Sequence, residues 1–125
     1  MKTRFYYLRD KQNTPRVTIC IGVDYKGKFS RGVALCSFKD TPLKKNIIDK
    51  KTGKFITTSG RFIAENRAAQ AFLAKESTKI IFSERGKNIL MAVGDRELFY
   101  KSEYDVLPRS SFETKLFKSL LKETI

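Results

Sequence analysis

The segment at residues 16–24, RVTICIGVD, constrains the fold more than any other stretch of this chain, because apolar residues occupy every second position. That period of two is typical of a half-buried strand. The segments at residues 3–10 and 29–37 are also rich in β-branched and aromatic residues, and turn-forming sequences separate the three. Together the three segments predict an antiparallel meander. The residues predicted to face the core from the central strand are Val17, Ile19, Ile21 and Val23.

The rest of the chain predicts two helices and further strands. Residues 58–76 show the apolar spacing of a helix, and a C-terminal helix is predicted from Ser110, with Glu113 at capping-box spacing. The fold class is therefore predicted to be α+β, an antiparallel sheet with two helices packed on one face, in the order βββ-αβββ-α. The three strands predicted between the helices are residues 78–84, 88–94 and 97–107.

The length of 125 residues fits a single domain over residues 1–125. Within it, residues 38–57 are rich in lysine and contain turn-forming residues. We expect a basic loop or hairpin insertion there, with a short hairpin over residues 46–57.

The absence of histidine excludes Ser-His-Asp and Cys-His nucleophiles and the usual zinc sites. The acidic residues are scattered, so we predict no metal site, no cofactor and no catalysis. Cys20 and Cys36 are expected to be reduced, buried thiols. No apolar run reaches the roughly 18 residues that a membrane span needs, so we expect a cytoplasmic protein without membrane contact.

The net charge of +13 predicts attraction to polyanions. Residues 1–57 hold 14 Lys and Arg against 4 acids, so we expect the partner to meet the first half of the chain. Cations and aromatic rings stand side by side, as at Tyr25 and Lys26, and this combination suits either a nucleic-acid strand on a basic track or a nucleotide in a pocket. The polar side of the C-terminal helix contains Lys115, Lys118 and Lys122.

Two segments, RGVALCSFKDTPLKK at residues 31–45 and GRFIAENRAAQAF at residues 60–72, resemble a pattern of small phage-encoded proteins. With the chain's size and α+β order, they resemble the Thoeris anti-defence sponge family. The resemblance implies a non-enzymatic, homo-oligomeric protein of the host cytoplasm that sequesters a cyclic ADP-ribose-type or other cyclic signalling nucleotide. Two alternatives stay open: a basic phage accessory protein that binds nucleic acid, and a protein inhibitor of a host defence enzyme.

A sequestered nucleotide would need arginines for its phosphates and an aromatic ring for its base. Arg109 precedes the helix capped by Ser110, where the unpaired backbone N–H groups favour an anion. Phe82 is the residue predicted to stack on the base. The candidate ligand-binding residues are Arg109, Phe82, Arg61, Arg67, Arg31 and Lys39.

Overall fold

The computed structural model of this protein describes residues 1–35, 46–48, 55–57, 60–79, 83–95, 98 and 100–124. The strands are β1 (Lys2–Arg9), β2 (Pro15–Val23), β3 (Phe29–Leu35), β4 (Asn46–Ile48), β5 (Phe55–Thr57), β6 (Thr78–Lys79) and β7 (Tyr100–Tyr104). The helices are α1 (Gly60–Ala74), α2 (Glu84–Val93) and α3 (Ser111–Thr124).

Five of the strands form one antiparallel sheet in the order β1-β2-β3-β7-β6. Its first three members are the predicted meander, which is confirmed. Strands β4 and β5 form a separate antiparallel pair at the two arms of the predicted hairpin. The predicted α+β class is confirmed as well.

The alternation along β2 builds a core on each face of the sheet. On one face, Ile19 and its neighbours pack against α2 and α3, where Leu120 is fully buried. On the other face, Cys20 packs against α1 through Ala64 and Ala68. The prediction of two helices on one face is therefore corrected to three helices on two faces, because the small side chains of β2 and β3 also face a helix.

The predicted strand at residues 88–94 is wrong, because this segment belongs to α2 and its C-terminal cap. Ile89 and Leu90 are buried and Val93 is partly buried, a spacing that lies on one side of a helix. A short apolar run does not distinguish strand from helix by its period alone. Gly94, with φ of 71°, ends the helix in the left-handed conformation.

The neighbouring predicted strand, at residues 78–84, is observed as β6 only over Thr78–Lys79. Residues 80–82 lie outside the described residues. Ser83 caps α2, since its side-chain oxygen accepts a hydrogen bond of 3.3 Å from the backbone N–H of Gly86.

Helix α1 lies unusually close to β3 because small residues face each other across the contact. A Cβ atom at Gly32 would overlap the carbonyl oxygen of Ala64 and would lie 2.5 Å from the backbone nitrogen of Ala68. Ala64 and Ala68 are fully buried there. The two segments that carry the family resemblance thus contact each other, with Gly32 and Ala34 on the strand packed beneath the alanines of the helix.

The thiol of Cys20 is buried beneath α1, and Cys36 lies outside the described residues. Burial, and to a lesser extent the nearby Glu65 carboxylate, raises the pKa of Cys20 to about 12 from its usual 9.0. The thiolate is the reactive form, so its fraction near neutral pH falls about a thousandfold. In a Cys36→Ser variant we therefore expect Ellman's reagent to label the native protein at least a hundredfold more slowly than the unfolded protein. Equal labelling rates would contradict the burial of Cys20.

Candidate functional site

Six acidic side chains among the described residues form ion pairs with cations of the same fold. The pairs are Arg4 with Glu123, Arg16 with Asp10, Lys28 with Asp105, Arg31 with Glu103 and Glu113, and Arg109 with Asp95. Among the described residues, five cations therefore pair with six acids. The rest of the sequence holds 21 Lys and Arg against seven Asp and Glu. The excess of positive charge is thus greater outside these pairs than in the chain as a whole.

Asp24 holds the turn between β2 and β3 through four hydrogen bonds. Its backbone N–H donates to the carbonyl of Lys28 at 3.0 Å, and its carbonyl accepts from Gly27 N–H at 3.1 Å. Its side-chain Oδ1 also accepts from the backbone N–H groups of Lys26, at 2.9 Å, and Lys28, at 3.0 Å. Gly27 has φ of 78°, a conformation that glycine adopts without strain.

This turn presents the most exposed large aromatic side chain among the described residues. Tyr25 is 86% exposed, and the Lys26 ammonium lies 5.7 Å from the centre of its ring. A cation and a π-face are therefore held together at the tip of a fixed turn.

The C-terminal end of α3 lies next to the same turn. A Cβ atom at Gly27 would be 3.8 Å from the Cδ2 atom of Leu121. Beneath this contact, the rings of Phe29 and Phe117 stack with centres 4.1 Å apart and planes 12° from parallel. The β2–β3 turn and the end of α3 are consequently held together by these apolar contacts.

Lysines surround the end of α3. Lys118 and Lys122 are exposed on the helix, one turn apart. Lys2, which pairs with Val23 across β1 and β2, donates from its side chain to the carbonyl of Glu123 at 2.5 Å. We call this surface the basic end and define it by Lys2, Tyr25, Lys26, Lys118 and Lys122.

Arg31, a predicted ligand-binding residue, is instead part of a buried polar network. Its side chain is 2% exposed, and all three of its nitrogens donate hydrogen bonds. The acceptors are Glu113, Glu103 at 2.9 Å and the carbonyl of Leu107 at 3.0 Å. Glu113, fully buried, also accepts from the Tyr6 hydroxyl at 2.5 Å. Burial and this hydrogen bond both raise the pKa of Tyr6.

Arg109 stands beside the start of α3 as predicted, but the anion at that helix start is the protein's own. The Glu113 carboxylate accepts from the backbone N–H of Arg109 at 3.0 Å, and the Glu113 N–H donates to Ser110 Oγ at 3.1 Å. The Arg109 guanidinium donates to Asp95 at 2.5 Å. Burial is the largest single influence on the pKa of Arg109 and acts to lower it, but the hydrogen bond to Asp95 and the negative charges around the guanidinium together raise that pKa.

Arg61 and Arg67 lie on α1, on the face of the sheet opposite to α3. The Arg61 guanidinium lies 4.5 Å from the centre of the Phe5 ring. Arg67 donates to the carbonyl of Val33 at 2.6 Å, and burial lowers the pKa of its guanidinium. The four described arginine candidates are therefore divided between two faces and do not surround one pocket. Phe82 and Lys39 lie outside the described residues.

A groove of about 410 Å³ lies between the end of α1 and the β6–β7 edge of the sheet. Its polar lining comes from Gln70, Glu76, Thr78 and Ser102. Glu76 is the one charged residue among the described residues that line it. Because this one charge is negative, the described lining itself does not favour an anionic ligand.

No family model, curated protein or solved structure matches this chain. Among the described residues, no group of three Cys, Asp or Glu side chains is arranged to hold a metal ion. None of the helices in the described ranges is long and apolar enough to cross a membrane.

The sequence indicated part of the basic end. Tyr25 with Lys26 stood out as a cation beside a ring, and Lys118 with Lys122 as the polar side of a helix. No sequence pattern pointed to Lys2 as part of this surface. The packing of α3 against the sheet brings these residues together, and no local sequence pattern predicts that packing.

Proposed function

We propose that this protein binds the phosphate backbone of nucleic acid through the basic end, without catalysis. One observation carries the proposal: four lysines and an exposed tyrosine surround the end of α3, while six acids are paired with other cations. Phosphate contacts from lysines supply most of the affinity of non-specific nucleic-acid binding. This is the phage accessory function that the sequence left open beside nucleotide sequestration.

The arrangement of the cations favours a strand over a pocketed nucleotide. Lys26 lies on a turn, Lys118 and Lys122 on a helix and Lys2 on a strand, so the positive charge is spread over three elements and is not gathered in one cavity. By contrast, Arg31 and Arg109 are already bound to carboxylates. A nucleotide held by those two arginines would have to displace buried ion pairs.

Salt titration measures this binding directly. For a labelled oligothymidine followed by fluorescence anisotropy, four phosphate contacts predict a slope of log Kobs against log salt of about −3. Replacing Lys26, Lys118 and Lys122 together by glutamine should reduce the slope to about −0.7 and weaken binding accordingly.

Lys11→Gln is the matched control, because Lys11 is also an exposed turn lysine but lies in the β1–β2 turn at the other end of the sheet. It should change the slope little. If the wild-type protein binds no oligonucleotide, or if Lys11→Gln weakens binding as much as Lys26→Gln, the basic end is not the nucleic-acid site.

Nucleotide sequestration, which the family resemblance implies, is the second candidate. It is favoured by Arg61, an exposed arginine whose guanidinium already lies on the Phe5 ring. A panel of cyclic nucleotides, read by thermal shift, tests it. Stabilisation that is lost in Arg61→Ala, together with no oligonucleotide binding, would replace the nucleic-acid proposal by sequestration.

The proposal includes the host cytoplasm as the place of action. It also includes a homo-oligomer as the active form, because a second copy of the basic end would lengthen the track of cations. Light scattering at micromolar concentration tests whether the protein is a homo-oligomer. A strictly monomeric protein would contradict the oligomeric form.

A further inference from the structure

We infer that the nucleic acid bound at the basic end is single-stranded, and that Tyr25 stacks on one of its unpaired bases. This inference rests on the proposed function and specifies its substrate class. It is carried by the exposure of Tyr25, the hydrogen bonds that hold its turn and the position of Lys26 on its ring.

Tyr25 makes no contribution to the core that would account for a large aromatic side chain at this position. It is 86% exposed, whereas the next most exposed tyrosine in the described part of the chain, Tyr7, is 38% exposed. The Asp24 side chain holds the turn through two backbone N–H groups. Because the backbone of the turn is already hydrogen-bonded, little backbone entropy is lost when a ligand packs on the ring, which is the property of a stacking platform.

The surroundings of the ring suit a base with a phosphate beside it. Lys26 lies over the ring at 5.7 Å from its centre, and with 86% of the side chain exposed the opposite ring surface is open to solvent. A base stacked on that open surface would have Lys26 beside it. Its flanking phosphates could reach the lysines of α3, because α3 contacts the same turn through Leu121. Bases in a duplex already stack on each other, so only an unpaired base offers its face to a tyrosine.

Tyr25→Ala separates stacking from charge. For oligothymidine we expect a loss of affinity of about five- to 150-fold, with an unchanged salt slope, because one stacked base is lost and no phosphate contact is removed. Tyr25→Phe keeps the ring and should bind within about twofold of wild type. Binding of a duplex of the same length should be the same for wild type and Tyr25→Ala.

Tyr7→Ala is the matched control, since it removes a partly exposed tyrosine from β1 outside the basic end and should leave oligothymidine binding unchanged. Oligouridine is measured beside oligodeoxyuridine, which differs from it only in the ribose hydroxyl. Tight binding of either supports the inference, and the ratio of their affinities tells whether that hydroxyl is recognised. Duplex binding as tight as single-strand binding, with no effect of Tyr25→Ala, would overturn this inference and leave the proposed function standing. If the protein binds neither single-stranded nor duplex oligonucleotides, both this inference and the proposed function are overturned.

Discussion

Replacing Arg31 by alanine is expected to lower the free energy of unfolding by about 3–5 kcal/mol, because it leaves a buried carboxylate without its cation. Glu113 is fully buried, and Arg31 contacts it through two nitrogens. The Tyr6 hydroxyl and the Arg109 N–H would remain as donors, but neither brings a positive charge into contact with Glu113. Urea unfolding followed by circular dichroism measures the difference.

The double variant Arg31→Met with Glu113→Leu is the control that separates charge burial from loss of volume. It removes both charges and fills the site with apolar side chains, so we expect it to recover most of the stability that Arg31→Ala loses. Glu113→Ala alone should be destabilised like Arg31→Ala. An Arg31→Ala protein within about 1 kcal/mol of wild type would contradict a buried, charged network at this position.

The fold could be predicted from sequence where its signals are local. The alternation in β2 and the Ser110–Glu113 spacing each report geometry within a few residues, and the strand and the helix start were both found. The alternation also predicted a half-buried strand, and this was wrong because α1 buries Cys20 on the second face. The strand predicted over residues 88–94 failed because its apolar run is too short to show which period it follows. In this segment Ile89 and Leu90 pack on the sheet from one side of a helix.

The site depends on contacts that are distant in sequence and was therefore only partly predictable. Arg31 was predicted to bind the ligand, but its partner Glu113 lies 82 positions away, so its place in a buried ion pair could not be seen from the sequence. Glu113 in turn occupies the helix start at which Arg109 was predicted to receive an external anion. The basic end likewise exists only because α3 returns to the β2–β3 turn.

Gly32→Ala is expected to destabilise the protein more than any other single methyl addition at a described glycine. The new Cβ atom would overlap the Ala64 carbonyl oxygen and approach the Ala68 nitrogen to 2.5 Å. Both are backbone atoms of α1, so no side-chain rotation relieves the overlap, and the helix must move away from β3. We expect a loss beyond about 4 kcal/mol, a large part of the stability of a domain this size, measured by urea unfolding or as failure to fold.

Gly94→Ala is the matched control, because no described atom lies within 4 Å of the added methyl and only the backbone conformation, with φ of 71°, opposes it. It should cost about 1–2 kcal/mol. Ala64→Gly should not rescue Gly32→Ala, since the overlap is with backbone. A Gly32→Ala protein as stable as Gly94→Ala would show that α1 does not lie this close to β3. If the large loss is observed, then Gly32 and the alanines of α1, which belong to the segments that carry the family resemblance, are explained by packing, and the functional argument rests on the basic end.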